Sequence, residues 1–284
     1  MIEISVEHFQ LTKIAESGQC FRWQELGPDF FGIPAGVGYI TARQPNDSTL
    51  LLDCTPEAYE AYWRNYFGLN DNYGLFYETA AAERGTYLYE AAKAADGVRI
   101  LSQDLWETLV SFLISQNNNL PRIKKTISKM CESLGTPEYS QCGSLYYKFP
   151  APEALTDQAA LRALGLGYRD KYIAELAVNV RDGKINLADF KAMATPDARE
   201  ALKNITGIGD KVADCILLFG LHRLEAFPID VWMKRIITEE YGGKFPIEHY
   251  DGFAGVVQQY MFYFAQLQKI QRQAESTHKT RKGA

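Results

Sequence analysis

Paired cysteines are missing from this 284-residue chain, since no two of them form a Cys-x-x-Cys pair. The number of cysteines, five, is odd, and they are scattered over the sequence. This pattern argues against a disulfide framework and against a zinc or iron–sulfur site, so we expect free thiols and no redox cofactor. The five are Cys20, Cys54, Cys131, Cys142 and Cys215.

Long apolar runs are also missing. Although 46% of the residues are hydrophobic, no uncharged apolar run approaches the roughly 20 residues that a membrane-spanning helix needs. Met1–Ile4 lacks the basic and then apolar profile of a signal peptide. We therefore expect a globular protein of two or three domains, with a large core, that stays inside the cell.

The chain lacks the net positive charge that is typical of nucleic-acid-binding proteins, because its formal net charge is −5. The acidic excess lies in residues 1–100, with 7 Lys and Arg against 14 Asp and Glu, whereas residues 101–284 carry 23 against 21. This distribution is compatible with DNA binding but does not by itself indicate it.

Short β-like runs, separated by turn-forming residues, predict a small antiparallel sheet in the first 55 residues. These runs are Cys20–Gln24, Gly36–Ile40 and Leu50–Leu52. Thr55 then precedes a proline, a combination typical of a helix start, and helical spacing dominates from there on. Further helices are predicted near residues 103–115, 119–134, 156–164, 168–182, 196–203, 210–221, 231–241 and 249–270.

This order of elements predicts an α+β fold, in which an N-terminal antiparallel β-sheet domain joins a two-lobed all-helical body. No low-complexity linker separates these parts. The expected bounds are residues 1–100 for the β-rich domain, residues 101–230 for a helical domain, and residues 231–284 for C-terminal helices that complete the second helical lobe.

A lysine follows a glycine-rich turn formed by Gly207, Ile208 and Gly209. The Gly-x-Gly spacing allows a tight turn with free backbone N–H groups at the start of a helix, so the turn can hold a phosphate. Lys211 would place an amine, a candidate nucleophile, beside that phosphate, and Asp230 follows with a carboxylate. The structural alternative is a solvated Lys211 and an Asp230 that only caps the next helix.

This turn, with its lysine and later aspartate, resembles the helix-hairpin-helix motif of base-excision DNA glycosylases. The resemblance implies that Lys211 attacks the sugar carbon that bears a damaged base and forms an imine, while Asp230 stabilises the positive charge developing on the sugar. It also implies that Gly207 and Gly209 form the phosphate-binding hairpin. No cofactor is implied, and a structural cation held by the hairpin carbonyls is left open.

The segment Ser17–Trp23 closely resembles a segment near the N-terminus of 8-oxoguanine DNA glycosylases of the eukaryotic type. Guanine has an acceptor at N7, whereas 8-oxoguanine has a hydrogen there, so a backbone carbonyl at this point accepts a bond from the lesion and repels guanine. In the family this carbonyl belongs to the glycine that matches Gly18. The structural alternative is a β-turn glycine before a strand.

A late predicted helix supplies the rest of the implied base pocket. Gln258 and Phe262 are one turn apart and share a face of this helix. The resemblance implies that Gln258 binds the Watson–Crick edge of the extruded base, while Phe262 and Cys215 contact its two faces. Core packing is the alternative explanation for Phe262.

Two further segments resemble the parts of the family that contact DNA around the extruded nucleotide. In a run of three asparagines, Asn117 would enter the space left by the nucleotide, and Arg122 would bind the orphaned cytosine. In a second Gly-x-Gly segment, Tyr168 would wedge the duplex beside that cytosine and Arg169 would also bind it. The alternative for the asparagines is a polar loop with a helix N-cap at Asn119.

The resemblance covers about residues 19–268, in five separated motifs. We therefore expect a bifunctional 8-oxoguanine DNA glycosylase with apurinic/apyrimidinic lyase activity, a monomer that acts on 8-oxoguanine opposite cytosine in double-stranded DNA. It would work without a cofactor, in the cytoplasm or nucleoid of a bacterium or in the nucleus of a eukaryote. One departure is Trp232, which replaces a family histidine associated with a DNA phosphate.

Two alternative functions stay open. The first is a glycosylase of the same fold for another damaged base, against which Gly18 and Gln258 argue. The second is a non-catalytic helix-hairpin-helix module that only binds DNA, which would need neither Lys211 nor Asp230.

Overall fold

The chain begins with a five-stranded antiparallel sheet. The computed structural model describes residues 1–141 and 143–282, with side chains as far as residue 273. The strands lie in the order β1-β5-β4-β3-β2, so β1 pairs with β5 and the other neighbours are consecutive in sequence. The strands are β1 (Ile2–Ser5), β2 (Gln24–Gly27), β3 (Phe30–Ala35), β4 (Gly38–Asn46) and β5 (Thr49–Leu52).

A short helix, α1 (Leu11–Glu16), packs against β4 of this sheet. Leu11 and Ile14 of the helix are fully buried in the same core as Ile33 and Leu52 of the sheet. The prediction of β-structure alone up to residue 55 is therefore wrong at α1. A helix of fewer than two turns offers too few apolar repeats for its period to be recognised.

The predicted strand Cys20–Gln24 is not observed either, because β2 begins only at Gln24. The Phe21 ring lies in the helical core, 5.6 Å from the centroid of Phe112, whereas Trp23 lies in the sheet core, 5.8 Å from the centroid of Phe31. The apolar alternation of this segment thus reflects burial in two different cores and not the two faces of a strand.

Helices dominate from Thr55 onward, as predicted. The Thr55 hydroxyl accepts a hydrogen bond from the Ala58 N–H at 3.2 Å, which confirms the predicted helix start. One π-helical turn, Tyr59–Trp63, follows the first short helix. The helices are α2 (Pro56–Ala58), α3 (Arg64–Tyr66), α4 (Tyr73–Ala80), α5 (Tyr87–Ala95), α6 (Leu105–Ser115), α7 (Leu120–Leu134), α8 (Gln158–Ala163), α9 (Arg169–Arg181), α10 (Leu187–Ala192), α11 (Thr195–Lys203), α12 (Asp210–Gly220), α13 (Val231–Tyr241) and α14 (Ala254–Lys282).

Some elements differ from the prediction. The sequence patterns do not predict α4, α5 and α10, and the buried face of α5 is largely alanine, which gives a weak apolar signal. The last helix begins at residue 254 and not 249, after the 3-10 turn Ile247–Tyr250. A small hairpin, β6 (Pro137–Tyr139) and β7 (Leu145–Tyr147), interrupts the helical part.

The helices share one large core, in which α5 packs against α14 and α12 packs against α6. The predicted α+β class is confirmed, with an N-terminal antiparallel sheet followed by a helical body that contains the hairpin between α11 and α12. The domain bounds 1–100, 101–230 and 231–284 stay a prediction.

No helix in the described ranges is both long and apolar enough to cross a membrane. The four cysteines within these ranges are unpaired and buried. Cys142, the fifth expected free thiol, lies outside the described residues.

The turn at Ser17–Gln19 is held by a buried amide side chain. Gln19 is completely buried; its Nε2 donates to the carbonyl of Arg99 at 2.8 Å, and its Oε1 accepts from the Leu101 N–H at 2.7 Å. These two hydrogen bonds connect the turn after α1 to the segment that leads into the helical body. They thereby fix the position of Gly18, the residue before Gln19.

We predict that Gln19→Leu lowers the free energy of unfolding by at least about 2 kcal/mol, because a buried carbonyl and a buried N–H both lose their partner. Urea denaturation of both proteins measures this loss. Gln24→Leu, at an exposed position of β2, serves as the control and should change the stability by less than about 0.5 kcal/mol. Equal stabilities for Gln19→Leu and the unaltered protein would contradict the anchoring role.

Candidate active site

The predicted glycine turn lies between α11 and α12, with Ile205 and Ile208 buried on either side of its centre. Gly207 has φ +90°, and a Cβ there would lie 2.5 Å from Cδ2 of Tyr172 in α9, so both the backbone and the packing require glycine. Gly209 is the N-cap residue of α12, where no side chain makes a capping hydrogen bond. The first N–H groups of α12 therefore remain available to an anion.

Lys211 is the second residue of α12 and is partly buried. Its Nζ lies 5.4 Å from the ring centroid of Phe112, which belongs to α6. Burial raises the pKa of the Cys215 thiol, while the positive charge of Lys211 and its hydrogen bond to the thiol act in the opposite direction. The amine thus lies between an aromatic face and a protonated thiol one turn further along α12.

Asp230 is the N-cap residue of α13, the position that the structural alternative in the sequence predicts for it. Its Oδ1 accepts a hydrogen bond from the Met233 N–H at 2.8 Å. Within the described part of the chain, no hydrogen bond to Oδ2 and no ion pair of Asp230 are found. Its negative charge acts on the Cys215 thiol, which places the carboxylate near the residues that surround Lys211.

The acidic neighbours of Lys211 on α12 form ion pairs with basic residues of α11, and not with Lys211. Arg199 binds Asp214 at 2.6 Å and Asp210 at 3.0 Å, and Lys203 binds Asp210 at 3.2 Å. The hydrogen bond from Lys203 lowers the pKa of the Asp210 carboxyl. Asp210 and Asp214 are therefore compensated by ion pairs, whereas none is found for Asp230 in the part of the chain that the structure describes.

Gly18 and Phe262, two residues of the predicted base pocket, lie next to each other. Gly18 has φ +79°, and a Cβ there would lie 3.4 Å from Cε1 of Phe262. Gln259, three residues before Phe262 on α14, donates from Nε2 to the Ser17 carbonyl at 2.6 Å. Gln258 is 4% exposed and lies one turn before Phe262 on the same helix.

Close packing at the start of α14 brings this helix to the segment before Asp230. A Cβ on Gly255 would lie 2.5 Å from the Ala226 carbonyl, and the Gly255 N–H donates to the Leu224 carbonyl at 2.7 Å. Only glycine allows this approach. Sequence reasoning gave Gly255 no role, since nothing local to it signals the contact.

Of the residues implied to contact the opposite strand, Asn117, Tyr168 and Arg169 are joined by hydrogen bonds at the loop between α6 and α7. Asn117 has φ +46°, and its Nδ2 donates to the Tyr168 hydroxyl at 3.3 Å. Arg169 is buried, with its guanidinium donating to the carbonyls of Gln116, Asn117 and Leu166. Arg122 is exposed, and its side chain has no partner in the described ranges.

Gln116 joins this loop to the glycine hairpin. Its Nε2 donates to the Gly207 carbonyl at 3.0 Å, while its own carbonyl accepts two hydrogen bonds from Arg169. Sequence reasoning missed Gln116, Gln19 and Gln259. Each acts through a contact that is distant in the sequence, so a local pattern does not reveal it.

Trp232 is half-buried on α13, two residues after Asp230. The Lys269 ammonium lies 5.2 Å from its ring centroid, a cation–π distance. The indole also lines a cavity of about 220 Å³ between α13 and α14, together with Arg235 and Arg272. Glu239 and Glu240 line the same cavity, and Arg235 pairs with Glu239 at 2.8 Å, so side chains of both charges surround the tryptophan that replaces the family histidine.

Comparison with known proteins places this geometry in a family. Residues 1–109 match the family model of the 8-oxoguanine DNA glycosylase N-terminal domain. The N-glycosylase/DNA lyase of Saccharomyces cerevisiae is 31% identical over 266 residues, which cover 84% of this chain and 70% of that protein.

Solved structures extend the likeness to the whole fold. MBOgg1 in complex with a low-affinity DNA ligand is 35% identical with a TM-score of 0.88, covering 94% of this chain and 96% of that one. The Clostridium acetobutylicum 8-oxoguanine glycosylase/lyase, in complex with double-stranded DNA containing cytosine opposite 8-oxoguanine, is 30% identical with a TM-score of 0.87, covering 93% and 94%.

The fold and its lysine-bearing hairpin are those of the helix-hairpin-helix DNA glycosylases. Within that class, the chain belongs to the 8-oxoguanine DNA glycosylase family of N-glycosylase/DNA lyases.

Proposed function

We propose that this protein excises 8-oxoguanine opposite cytosine from double-stranded DNA and then cleaves the strand at the resulting site. The observation that carries the proposal is a group of three side chains beside a hairpin with free N–H groups. Lys211 and Cys215 lie one turn apart on α12, and Asp230 lies at the start of α13. A module that only binds DNA needs the hairpin but not this amine and carboxylate.

In the proposed reaction, Nζ of Lys211 attacks the sugar C1′ as the C1′–N9 bond breaks. The departing base takes up a proton, and the sugar ring opens to give an imine between Nζ and C1′. The imine acidifies the hydrogen at C2′, whose loss expels the 3′ phosphate by β-elimination. Water then hydrolyses the imine and restores the amine.

Asp230 would act while positive charge develops on the sugar. Asp230 lies at the N-terminus of α13, where the helix dipole attracts negative charge, and it has no neutralising ion pair in the described ranges. Its charge therefore favours the oxocarbenium-like transition state over the neutral ground state.

The extruded base would lie against Gly18, Gln258 and Phe262. The Gly18 carbonyl would accept the N7–H that distinguishes 8-oxoguanine from guanine, and Gln258 would bind the Watson–Crick edge. Phe262 and Cys215 would contact the two faces of the base. The raised pKa of Cys215 keeps its thiol protonated, which suits an apolar wall.

The loop between α6 and α7 would hold the opposite strand open. Asn117 and Tyr168, already hydrogen-bonded to each other, would occupy the gap and wedge the duplex. Arg122 would reach the orphaned cytosine from an exposed position. Arg169 would first have to exchange some of its bonds to backbone carbonyls for bonds to cytosine.

The protein would act as a monomer and without a redox cofactor. We place it in the cytoplasm or nucleoid of a bacterium, or in the nucleus of a eukaryote, because its proposed substrate is genomic DNA. Size-exclusion chromatography with light scattering tests the monomer, and metal analysis of the purified protein tests the cofactor.

We predict that Lys211→Gln abolishes covalent trapping on duplex DNA with 8-oxoguanine opposite cytosine, because borohydride links the unaltered protein by reducing the imine. Denaturing gel electrophoresis measures the linked product. Lys184→Gln, at an exposed loop position, is the matched control and should trap normally. Trapping and normal cleavage by Lys211→Gln would show that another amine is the nucleophile.

We predict that Asp230→Asn folds normally but loses about a hundredfold in single-turnover excision. Asparagine caps a helix about as well as aspartate, so the hydrogen bond from Met233 is retained while the charge is lost. Unfolding and excision are measured on the same preparation. If the excision rate is unchanged, Asp230 is a helix cap alone.

We predict that Arg122→Ala narrows the preference for cytosine over adenine opposite the lesion by about 1–3 kcal/mol, chiefly by slowing excision opposite cytosine. Excision from duplexes with each of the four opposite bases measures this preference. Arg169→Ala, by contrast, should also destabilise the fold, since it deprives three carbonyls of a partner. An equal loss for all four opposite bases would reduce Arg122 to a phosphate contact.

A further inference from the structure

A third glutamine of α14, Gln266, lies beside the proposed base pocket. Its Nε2 is 3.9 Å from the point that a Cβ of Gly18 would occupy, and Leu120 of α7 approaches the same point at 3.8 Å. The residues that surround Gly18 are therefore Phe262, Leu120 and the amide of Gln266. The sequence patterns assign no role to Gln266.

The amide nitrogen of Gln266 has no hydrogen-bond partner although it is buried. In the described ranges, six side chains carry such a buried, unpaired polar atom, and two of the atoms are Oε1 of Gln258 and Nε2 of Gln266. A buried donor without a partner costs free energy, so native proteins retain few of them outside functional sites.

These two amides lie on one face of α14. Gln258, Phe262 and Gln266 follow at intervals of four residues, so their side chains form a row with the aromatic ring in the middle. The row presents an unpaired acceptor at one end and an unpaired donor at the other. This is the arrangement that a flat, polar-edged ring stacked on Phe262 would satisfy.

We infer that Gln266 is a specificity-determining residue that donates a hydrogen bond to a carbonyl oxygen of the extruded base. This inference rests on the proposed function. In 8-oxoguanine, carbonyl oxygens at C6 and C8 flank the N7–H group, which the Gly18 carbonyl would accept. A donor that lies beside Gly18 is therefore close to one of these oxygens, while the acceptor of Gln258 serves the N–H groups of the Watson–Crick edge.

The position of this donor is supported from both sides. The bond from Gln259 to the Ser17 carbonyl holds α14 against the turn that carries Gly18, and the buried amide of Gln19 holds the same turn from the sheet side. The spacing between Gly18 and Gln266 is thus set by hydrogen bonds from side-chain amides to backbone carbonyls, so both groups address the same edge of the base.

The experiment compares two reactions of one enzyme in single-turnover assays. The first is release of 8-oxoguanine from a duplex with cytosine opposite, and the second is cleavage of a duplex with an abasic site opposite cytosine. Only the first involves the base. Gln266→Leu removes the amide but keeps a side chain of similar size. Gln266→Glu keeps the shape of the side chain, but an ionised glutamate has only acceptors and cannot donate.

We expect both variants to slow base release by about tenfold, the effect of losing one hydrogen bond to a buried polar group. Cleavage at the abasic site should stay within about twofold of the unaltered protein. Gln268→Leu is the matched control, since this glutamine is on the same helix but faces the Trp232 cavity. It should leave both reactions unchanged.

Three other outcomes overturn the inference. Base release at the normal rate by Gln266→Leu or Gln266→Glu would show that the donor is not used. An equal loss in both reactions would give Gln266 a structural role only. Failure of the unaltered protein to release 8-oxoguanine, with or without abasic-site cleavage, would overturn the proposed function, and this inference with it.

Discussion

The hydrogen bond from Gln259 to the Ser17 carbonyl is the contact on which the position of Gly18 beside α14 depends. It joins residues that are 242 positions apart, at 2.6 Å, and it is buried. Gln19 holds the same turn from the opposite side by its bonds to Arg99 and Leu101. Because Gly18 lies between these two anchors, its place beside α14 is set by hydrogen bonds on both sides, as the proposed recognition of the N7–H by its carbonyl requires.

A second set of hydrogen bonds joins the loop between α6 and α7 to the glycine hairpin that precedes Lys211. Arg169 donates to the backbone carbonyl of Gln116, and the Gln116 side chain donates to the Gly207 carbonyl. Tyr172 fills the space that a side chain at Gly207 would take. The loop that carries Asn117 and the turn that precedes Lys211 are therefore held together by side-chain contacts between segments distant in the sequence.

Local signals made much of the architecture predictable. Thr55 and Asp230 cap the helices that they were expected to cap, and Gly207 has the positive φ that its turn requires. The segment Cys20–Gln24 shows the limit, because its alternating apolar residues enter two cores and the period of a strand arises without a strand partner. The alanine-lined face of α5 shows another, since burial there depends on close approach to α14 and not on large apolar side chains.

The sequence by itself determined the α+β class, the hairpin, and the residue types that carry the proposed chemistry, because capping, turn formation and nucleophilicity are properties of a few neighbouring residues. Only the tertiary structure decided that Lys211 lies between Phe112 and Cys215, that Arg169 is buried against carbonyls while Arg122 is exposed, and that Gln266 approaches Gly18. Each of these depends on contacts between distant segments. Their distances follow from the packing of whole helices, which no local pattern encodes.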